Sequence, residues 1–482
     1  MEIIKLEKVN EVYNKVICEP GVGYEIKDYF TFKVPNYQFM PAYKNKLWDG
    51  NIYLFNPMNC LLYGGLTEQL EIFCKSRDYK LELLSDFSSD NMSVKETLDF
   101  VKSLNLPFQP REYQLEAFVR CVRSRRKMLL SPTGSGKSLI IYLLSRFYNL
   151  RTLIIVPTTS LIHQMTSDFL SYGYSDPDNI HKIYQGQDKN IKSQFVISTW
   201  QSIFKQSKDW FNQFDVVIGD EAHLFKAKSL TSIMTKLETC KYRFGFTGTL
   251  DGSETHQLVL EGLFGPVKKI ITTSELIEQK HLSNFMIKCI SLQYPDDIKK
   301  ECSKYSFQQE MDFLVSNQER NKFITNLSLS LKGNTLLLFQ YVDKHGKVLY
   351  DMISNEHSDK DIYFVHGGID GNDREKIRNL VEKNNNSIII ASYGTFSTGI
   401  NIKNLHNIIF SSPSKSKVRN LQSIGRGLRL SDNKEQAVLY DISDDLSWKQ
   451  RKNFTLLHYI ERVKIYNEEQ FEYKTYKINI NT

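Results

Sequence analysis

The sequence has little cysteine and no long apolar run, and both absences restrict what the protein can be. Its seven cysteines are scattered along 482 residues without a Cys-x-x-Cys pair, so neither a zinc site nor a disulfide framework is indicated. No uninterrupted apolar stretch is long enough to span a bilayer, and the first ten residues lack the basic-then-apolar order of a signal peptide. We therefore expect a cytoplasmic protein without a membrane partner.

The length and composition predict a folded protein of several domains. A chain of 482 residues is too long for one hydrophobic core, so two large domains and one small domain are expected. Hydrophobic residues make up 41% of the chain and charged residues 24%, as in ordinary globular proteins. Nothing in these values indicates a disordered chain.

The net charge of +7 is unevenly distributed along the sequence. Lys and Arg number 11 against 15 Asp and Glu in residues 1–100, and 14 against 9 in residues 401–482. A basic surplus toward the C-terminal end favours a polyanionic partner, but a mild surplus is also typical of a solvated face. Charge alone does not decide between these two interpretations.

Aromatic and polar residues alternate in two segments of the first hundred residues, 29–34 and 51–55, and this alternation predicts strands. An Asp-Gly pair at residues 49–50 predicts a tight turn between them. A helix is predicted for Thr67–Ser76, and a linker for the stretch rich in Ser, Asp and Asn at residues 85–93. Residues 1–95 are thus expected to form a small α+β domain.

From about residue 107, short apolar runs alternate with amphipathic segments, which is typical of buried parallel strands joined by crossover helices. The pattern occurs twice, on either side of a charged break near residues 296–310. The predicted strands are residues 128–130, 153–156, 195–197, 216–218 and 244–246, then 335–339, 362–365, 387–390, 408–410 and 437–440. The predicted fold class is α/β, with two tandem parallel-sheet lobes at residues 96–275 and 276–482.

The sequence Ser-Pro-Thr-Gly-Ser-Gly-Lys-Ser at residues 131–138 lies between a predicted strand and a predicted helix, where a phosphate-binding loop belongs. Lys137 is expected to neutralise phosphate charge, and Ser138 to bind Mg²⁺. The backbone N–H groups expected to surround the phosphates are those of Thr133, Gly134, Ser135 and Gly136. Ser131 stands where the general motif has Gly. The alternative, a Gly/Ser surface loop, is disfavoured by the flanking strand and helix.

An Asp-Glu-Ala-His sequence at residues 220–223 follows the apolar run at 216–218. In this position Asp220 can hold Mg²⁺ through water, and Glu221 can polarise the water that attacks the phosphate. Alone the sequence is weak evidence, because acidic pairs before helices are also common caps. After a phosphate loop it predicts an ATPase.

The sequence of residues 422–429, Gln-Ser-Ile-Gly-Arg-Gly-Leu-Arg, places Arg426 and Arg429 three residues apart. On a helix this spacing puts both guanidinium groups on one face, as arginine fingers for a γ-phosphate require. The alternative is a basic helix face that binds nothing in particular. The motifs of the first lobe favour the fingers.

Taken in order, these motifs resemble those of superfamily-two helicases over about residues 107–445. The further matching segments are residues 111–114 (Q motif), 157–160 (motif Ia), 198–201, 247–249 (motif III) and 392–401 (motif V). The Trp-Asp-Gly layout at residues 48–50, the segment 391–399 and the total length resemble more closely the UvsW-type recombination and branch-migration helicases of T-even-type phages. Two departures are Thr-Gly-Thr in motif III and Asn401, where Asp is frequent.

The resemblance implies two RecA-like lobes, ATP and Mg²⁺ as cofactors, and a location in the host cytoplasm. It implies that Gln114 reads the adenine edge with support from Arg111, and that Gly399 and Asn401 lie at the nucleotide. Thr247 and Thr249 would couple hydrolysis to lobe movement. The residues that it implies for contact with nucleic-acid phosphates are Thr158, Thr199, Gly367, Ser392 and Tyr393.

The leading hypothesis is an ATP-dependent DNA helicase that unwinds or branch-migrates forks, Holliday junctions and R-loops in phage recombination, replication and repair. Its partner would be branched or forked DNA, or RNA–DNA hybrids. An ATP-gated nucleic-acid clamp that does not unwind, and an RNA–DNA hybrid helicase, remain alternatives. A restriction motor lacks support because no nuclease or methylase motif is present, and an enzyme acting on nucleotides alone would leave motifs Ia and V without a role.

The sequence leaves the role of two segments undecided. Residues 43–48 mix aromatic and basic side chains, and they either wedge into a DNA junction or are core aromatics beside solvated lysines. Residues 455–476, near the C-terminal end, either pack back on the second lobe or extend its basic face.

Overall fold

The computed structural model describes residues 2–480 except 36, 88–91, 251–253, 357–358, 400–401, 415, 431–433 and 435. The chain divides into two compact units, residues 1–131 with 136–270, and residues 132–135 with 271–482. Two seven-stranded parallel sheets and a smaller mixed sheet confirm the predicted fold class. In the described part of the chain, no helix is long and apolar enough to cross a membrane.

The N-terminal region contains a five-stranded sheet of order β5-β6-β2-β1-β7 and a separate antiparallel pair, β3 with β4. Its strands are β1 Ile3–Lys8, β2 Tyr13–Ile17, β3 Thr31–Lys33, β4 Asn51–Tyr53, β5 Phe55–Asn56, β6 Leu61–Tyr63 and β7 Lys80–Leu83. Its helices are α1 Pro20–Tyr29, α2 Pro41–Lys44 and α3 Thr67–Ser76. The helix predicted at Thr67–Ser76 is confirmed. The linker predicted at residues 85–93 lies partly outside the described residues.

Residues 34–50 connect β3 to β4, so these strands are not joined by the predicted Asp-Gly turn alone. The turn closes the end of this connection, where Gly50 has a positive φ of 84°. The connection carries exposed apolar side chains, with Phe39 68% and Leu47 81% exposed. These two side chains are therefore not part of a core.

The N-terminal region shares a hydrophobic core with the lobe that follows it. Leu66 and Phe73 belong to the same buried cluster as Met128 and Phe264. A Cβ on Gly65 would lie 1.9 Å from the carbonyl oxygen of Glu261, so only glycine allows this approach. The two parts of the chain are packed as one body here.

The first lobe has seven parallel strands in the order β10-β11-β9-β12-β13-β8-β14. The strands are β8 Arg126–Leu130, β9 Thr152–Val156, β10 Ile180–Ile183, β11 Phe195–Thr199, β12 Val216–Asp220, β13 Tyr242–Thr247 and β14 Val267–Lys269. The helices are α4 Val94–Ser103, α5 Glu112–Val122, α6 Lys137–Tyr148, α7 Thr159–Ser171, α8 Trp200–Ile203, α9 Lys208–Phe211, α10 Lys228–Lys236 and α11 Glu254–Phe264. All five strands predicted for this lobe are confirmed.

The second lobe repeats this architecture in the order β17-β18-β16-β19-β20-β15-β21, again entirely parallel. The strands are β15 Asn284–Gln293, β16 Thr335–Phe339, β17 Asp361–Val365, β18 Ser387–Ser392, β19 Asn407–Phe410, β20 Gln436–Asp445 and β21 Tyr473–Asn479. The helices are α12 Thr273–Glu278, α13 Asp296–Cys302, α14 Phe307–Ser316, α15 Gln318–Ser330, α16 Lys347–Asn355, α17 Gly371–Lys383, α18 Tyr393–Gly399, α19 Lys417–Gly427 and α20 Phe454–Glu468. The five predicted strands are confirmed here as well.

Short 3₁₀ and π segments complete the described elements at Tyr37–Phe39, Gly64–Leu66, Pro177–Asn179, Ala222–Lys226 and Val342–Gly346. The C-terminal segment resolves one of the open alternatives. It forms α20 and β21, and β21 pairs with β15 from Ile287↔Tyr473 to Gln293↔Asn479. This segment therefore packs back on the second lobe.

Candidate nucleotide-binding and nucleic-acid-binding residues

The candidate phosphate loop connects the end of β8 to the start of α6. Gly134 and Gly136 have positive φ angles of 88° and 78°, which glycine adopts without strain. Lys137, the first residue of α6, donates from Nζ to the carbonyl of Ser131 at 3.0 Å. The loop also closes on itself, because the Ser135 hydroxyl donates to the Pro132 carbonyl at 2.7 Å. Its backbone N–H groups thus precede a helix N-terminus, as phosphate binding requires.

The predicted adenine-reading residues lie beside this loop, at the start of α5. Gln114 accepts a hydrogen bond from the backbone N–H of Arg111 at 2.9 Å through its side-chain oxygen. Its side-chain nitrogen would lie 2.3 Å from a Cβ on Gly136, so the glycine makes room for the glutamine. Arg111 donates to the Tyr113 hydroxyl at 2.8 Å. The α5 helix start is therefore packed directly against the phosphate loop.

Asp220 and Glu221 lie at the carboxyl end of β12, one place from β13 in the sheet. Burial and the neighbouring Glu221 carboxylate raise the pKa of Asp220 to about 6, and Lys137 partly opposes that shift. Glu221 has a φ of 50°, an uncommon conformation for a residue with a side chain. Such conformations cluster at functional sites, where the surrounding structure compensates for the strain.

His223 links the carboxylate pair to motif III. Its Nδ1 lies 3.3 Å from a carboxylate oxygen of Glu221 and 2.9 Å from the hydroxyl oxygen of Thr247. The Thr247 hydroxyl donates in turn to the carbonyl of Thr249 at 3.2 Å. This contact joins two motifs that are separate in the sequence, and it depends on β12 and β13 being neighbours in the sheet.

The oxygen donors in this lobe fit Mg²⁺. The adjacent carboxylates of Asp220 and Glu221 repel each other, and the pKa of Asp220 is raised. A divalent cation bound between them would reduce this repulsion. Ser138 supplies a hydroxyl at the phosphate loop, where it now pairs with the Tyr172 hydroxyl at 2.7 Å. The described residues contain no cluster of three or more His, Cys, Asp or Glu suited to a metal. Mg²⁺ in nucleotide-binding sites is commonly held by one or two carboxylates completed by phosphate and water.

Two predicted nucleic-acid contacts of the first lobe lie on neighbouring strand ends. β9 and β11 pair with Val156 opposite Thr199, and Thr158 follows two residues after Val156. Thr158 caps α7 by accepting from the N–H of Leu161 at 3.4 Å. The Thr199 hydroxyl pairs with that of Ser202 at 2.9 Å. The two threonines thus share one edge of the sheet.

The second lobe brings its predicted contacts together in the same way. β17 and β18 pair with Val365 opposite Ala391, so Gly367 and Ser392 lie at adjacent strand ends. A Cβ on Gly367 would meet nothing within 4 Å. Tyr393 differs, because its side chain is buried and its hydroxyl donates to the Ser412 carbonyl at 3.1 Å. A contact of Tyr393 with nucleic acid would therefore have to use its main chain.

The prediction that both candidate finger residues lie on one helical face is wrong. α19 ends at Gly427, so Arg426 lies in its last turn and Arg429 lies beyond it. Gly427 is a poor helix former, and Leu428 after it is fully buried in the core of the second lobe. Arg426 lies over the ring of Phe396 at 5.8 Å. Gly399 ends α18, and Asn401 lies outside the described residues.

Comparisons with known proteins agree with these features. Family models match residues 4–84 as "DNA helicase UvsW, N-terminal", 107–252 as "Type III restriction enzyme, res subunit", and 319–431 as "Helicase conserved C-terminal domain". The chain is 35% identical over 493 residues to the "ATP-dependent DNA helicase uvsW" of Enterobacteria phage T4, covering 97% of each chain.

Two solved structures extend the likeness to three dimensions. The crystal structure of T4 UvsW matches with a TM-score of 0.52 and 32% identity, covering 99% of this chain and 100% of that one. A second crystal structure of the UvsW helicase from bacteriophage T4 matches with a TM-score of 0.51 and 34% identity, over 55% of this chain and 99% of that one. From its motifs, its fold and this full-length similarity, the chain belongs to the UvsW family of ATP-dependent DNA helicases.

Proposed function

We propose that this protein is a DNA-stimulated ATPase that unwinds or branch-migrates forked DNA, Holliday junctions and R-loops in phage recombination, replication and repair. The observation that carries the proposal is that the phosphate loop after β8 and the Asp220–Glu221 pair after β12 lie at the same end of one parallel sheet, with only β13 between the two strands. A nucleoside triphosphate held by the loop would meet a general base at this edge. The cytoplasm of the phage host is the proposed location.

We further propose three functional domains, at residues 1–95, 96–275 and 276–482. The first is the candidate for recognising DNA branches. The second binds ATP, and the third supplies Arg426 and Arg429 to the γ-phosphate. Gln114 with Arg111 would hold the base, and Gly399 and Asn401 would contribute on the side of the second lobe.

Each residue of the ATPase has a separate proposed role. Lys137 and the loop amides of Thr133 to Gly136 hold phosphate oxygens, and Glu221 accepts a proton from the attacking water. His223 keeps the Glu221 carboxylate oriented, and through its contact with Thr247 it connects this carboxylate to motif III. Ser138 and Asp220 would hold Mg²⁺, which supplies charge neutralisation to the phosphates when bound.

Contact with nucleic acid is proposed at the strand ends of both lobes, through Thr158 and Thr199 in one and Gly367, Ser392 and the main chain of Tyr393 in the other. Small residues at such strand ends expose backbone N–H groups, which bind phosphates without reading base sequence. Binding should therefore weaken steeply as salt rises. Since each lobe has its own set, a change of lobe position during the ATP cycle would move one grip relative to the other.

Branch recognition is proposed for the junction tip, defined as residues 34–50 between β3 and β4. Phe39 and Leu47 are mostly exposed, and Lys33 lies over the ring of Tyr37 at 5.0 Å. Exposed apolar side chains beside cations can stack on bases that a fork leaves unpaired.

The experiment compares strand displacement and fork binding by the wild type and by Phe39→Ala/Leu47→Ala. Deletion of residues 1–95 is less informative, because it would uncover the core shared with the first lobe. We expect the double variant to keep its ATPase on single-stranded DNA and to lose preference for forks over plain duplex. An unchanged preference would contradict the role of the tip. DNA-stimulated hydrolysis without any strand displacement by the wild type would instead favour an ATP-gated clamp.

A further inference from the structure

The second lobe contains two buried triads of the same composition, each with a Tyr, an Asp and an Arg. In the first, Arg462 of α20 makes two hydrogen bonds to Asp441, at 2.7 and 2.9 Å, and the Tyr466 hydroxyl donates to the same carboxylate at 2.8 Å. Both partners of the ion pair are essentially inaccessible to solvent.

In the second triad, Arg320 of α15 makes two hydrogen bonds to Asp444, at 2.8 and 3.0 Å, and the Tyr294 hydroxyl donates to that carboxylate at 2.8 Å. Asp441 and Asp444 both lie on β20. Because side chains alternate along a strand, the two carboxylates three residues apart point to opposite faces of the sheet.

Each arginine uses a remaining N–H group to hold the finger loop, defined as residues 411–414 between β19 and α19. Arg320 donates to the carbonyl of Ser411 at 2.8 Å, and Arg462 donates to the carbonyl of Ser414 at 3.1 Å. The finger loop is buried, so its carbonyls must find partners within the protein. Hydrogen bonds from a guanidinium are among the stronger ones available.

Among the described residues, the two ends of the finger loop differ in the other contacts that hold them. Ser411 is also held by the neighbouring strand, because its N–H and its hydroxyl both donate to the Leu338 carbonyl, at 3.1 and 2.7 Å. The Ser414 carbonyl is shared between Arg462 and Asn420 of α19, whose side chain donates at 3.2 Å. Arg462 therefore holds the end from which α19 begins.

A second contact joins the same two helices. Lys417, the first residue of α19, forms an ion pair with Glu468, the last residue of α20, at 2.5 Å. Stability does not by itself account for a buried ion pair such as Arg462 with Asp441, since apolar residues of similar volume are often equally stabilising. A bidentate arginine does fix geometry, which a lysine cannot reproduce.

We propose that Arg462 is a positioning residue for ATP hydrolysis: through the Ser414 carbonyl, the C-terminal helix α20 sets the position of α19 and hence of Arg426. This inference rests on the proposed finger role of Arg426. It gives the C-terminal segment a function in catalysis that no motif in its sequence indicates. Arg320, with the same chemistry at the end already fixed by the sheet, has no such effect.

The test compares Arg462→Lys with Arg320→Lys, because the two changes damage equivalent buried triads. DNA-stimulated hydrolysis is measured at a temperature where circular dichroism shows both variants folded. We expect Arg462→Lys to lower kcat about tenfold with little change in the KM for ATP, since one charge-assisted hydrogen bond is lost away from the nucleotide-binding loop. Arg320→Lys should stay within twofold of the wild type in both constants.

A second pair of variants changes the triads less and can be used if Arg462→Lys does not fold. Tyr466→Phe and Tyr294→Phe each remove one hydroxyl from a triad and keep the ring. Tyr466→Phe should lower kcat about threefold and Tyr294→Phe should leave it unchanged. Equal effects within either pair, or a full kcat in Arg462→Lys, would overturn the inference.

Arg426→Ala separates this inference from the function on which it rests. If Arg426→Ala hydrolyses ATP normally, the finger role fails, and the inference fails with it. If Arg426→Ala is slow while Arg462→Lys is as fast as the wild type, the inference alone is overturned. If both act through one step, the double variant should be no slower than Arg426→Ala.

Discussion

The two lobes have equivalent strand orders, but they differ at the turn that follows the fourth strand across each sheet, β12 in the first lobe and β19 in the second. In the first lobe β12 leads into Asp220 and Glu221, where burial and the adjacent Glu221 charge together raise the pKa of Asp220 to about 6. In the second lobe the equivalent strand β19 leads into the finger loop, whose serine carbonyls are held by Arg320, Tyr393 and Arg462. In the proposed mechanism, the same place in the fold serves chemistry in the first lobe, and in the second lobe it positions α19 through Arg462 at the Ser414 end.

The turns after the sixth strand across each sheet, β8 and β15, also differ. β8 leads into the glycine-containing phosphate loop, whereas β15 leads into Tyr294 and Pro295 and then α13. The described residues of this turn include no positive-φ glycine, so the turn does not form a loop like the one that follows β8. In the proposed mechanism, the first lobe binds nucleotide and the second lobe contributes to its hydrolysis.

The largest effect is expected from a change to the acidic pair of the first lobe. Glu221→Gln removes the proposed general base and should lower ATP turnover by about a thousandfold or more while ATP binding persists. Phosphate release and binding of a fluorescent nucleotide would measure the two properties. Glu238→Gln, which changes a carboxylate paired with Lys208 elsewhere on the lobe, is the control and should remain active. Turnover within tenfold of the wild type in Glu221→Gln would exclude the proposed role.

The next effect concerns what the second lobe contributes. Arg429→Ala should keep ATP binding and lose about a hundredfold in turnover, because it removes positive charge from the γ-phosphate. Arg378→Ala, at a surface pair with Glu375, should have no effect. Since Arg429 lies beyond the end of α19, comparison with Arg426→Ala would show whether the helix or the following turn carries the finger. Normal turnover in Arg429→Ala would refute its assignment.

A third prediction concerns stability rather than turnover. Arg320→Met leaves the buried Asp444 carboxylate without its cation, which typically costs about 3–5 kcal/mol in free energy of unfolding. Lys376→Met breaks an exposed pair with Asp373 and should leave the unfolding midpoint unchanged. Urea unfolding followed by circular dichroism measures both. Equal midpoints for the two variants would mean that the buried triads do not stabilise the lobe.

The smallest expected effect concerns the packing of the N-terminal region on the first lobe. Gly65→Ala places a methyl group against the Glu261 carbonyl and should destabilise the protein by roughly 1–3 kcal/mol. Gly21→Ala is the matched control, because a Cβ there meets nothing within 4 Å. Thermal unfolding should separate the two. A stable Gly65→Ala variant would indicate that the two parts can move apart.

The sequence predicted the central strands of both sheets well, for a physical reason. A parallel strand covered by helices on both faces, such as β9 or β16, is buried along its whole length and leaves an uninterrupted apolar run. β10, β14 and β21 were not predicted, because exposed edge positions admit polar residues such as Lys182 and Lys268. β15 was missed because Lys288 and Ser291 interrupt its apolar pattern.

The candidate site was predictable only where its residues are close in sequence. The phosphate loop and the Asp-Glu-Ala-His segment each occupy consecutive positions, so their chemistry can be read directly. In the sequence, Arg320, Asp441 and Arg462 resemble residues of solvated faces, but the fold places Arg462 beside Asp441 and Arg320 beside Asp444 in the interior. α19 ends at Gly427 and is followed by the buried Leu428, and a rule based on helical spacing alone predicts neither feature.

The most direct test of the central claim is ATP hydrolysis by the purified protein without nucleic acid, with single-stranded DNA and with a four-way junction, with Glu221→Gln as control. The account predicts strong stimulation by DNA, greatest with the junction and absent in the variant. Hydrolysis that is indifferent to nucleic acid would contradict the assignment of this chain as a DNA motor.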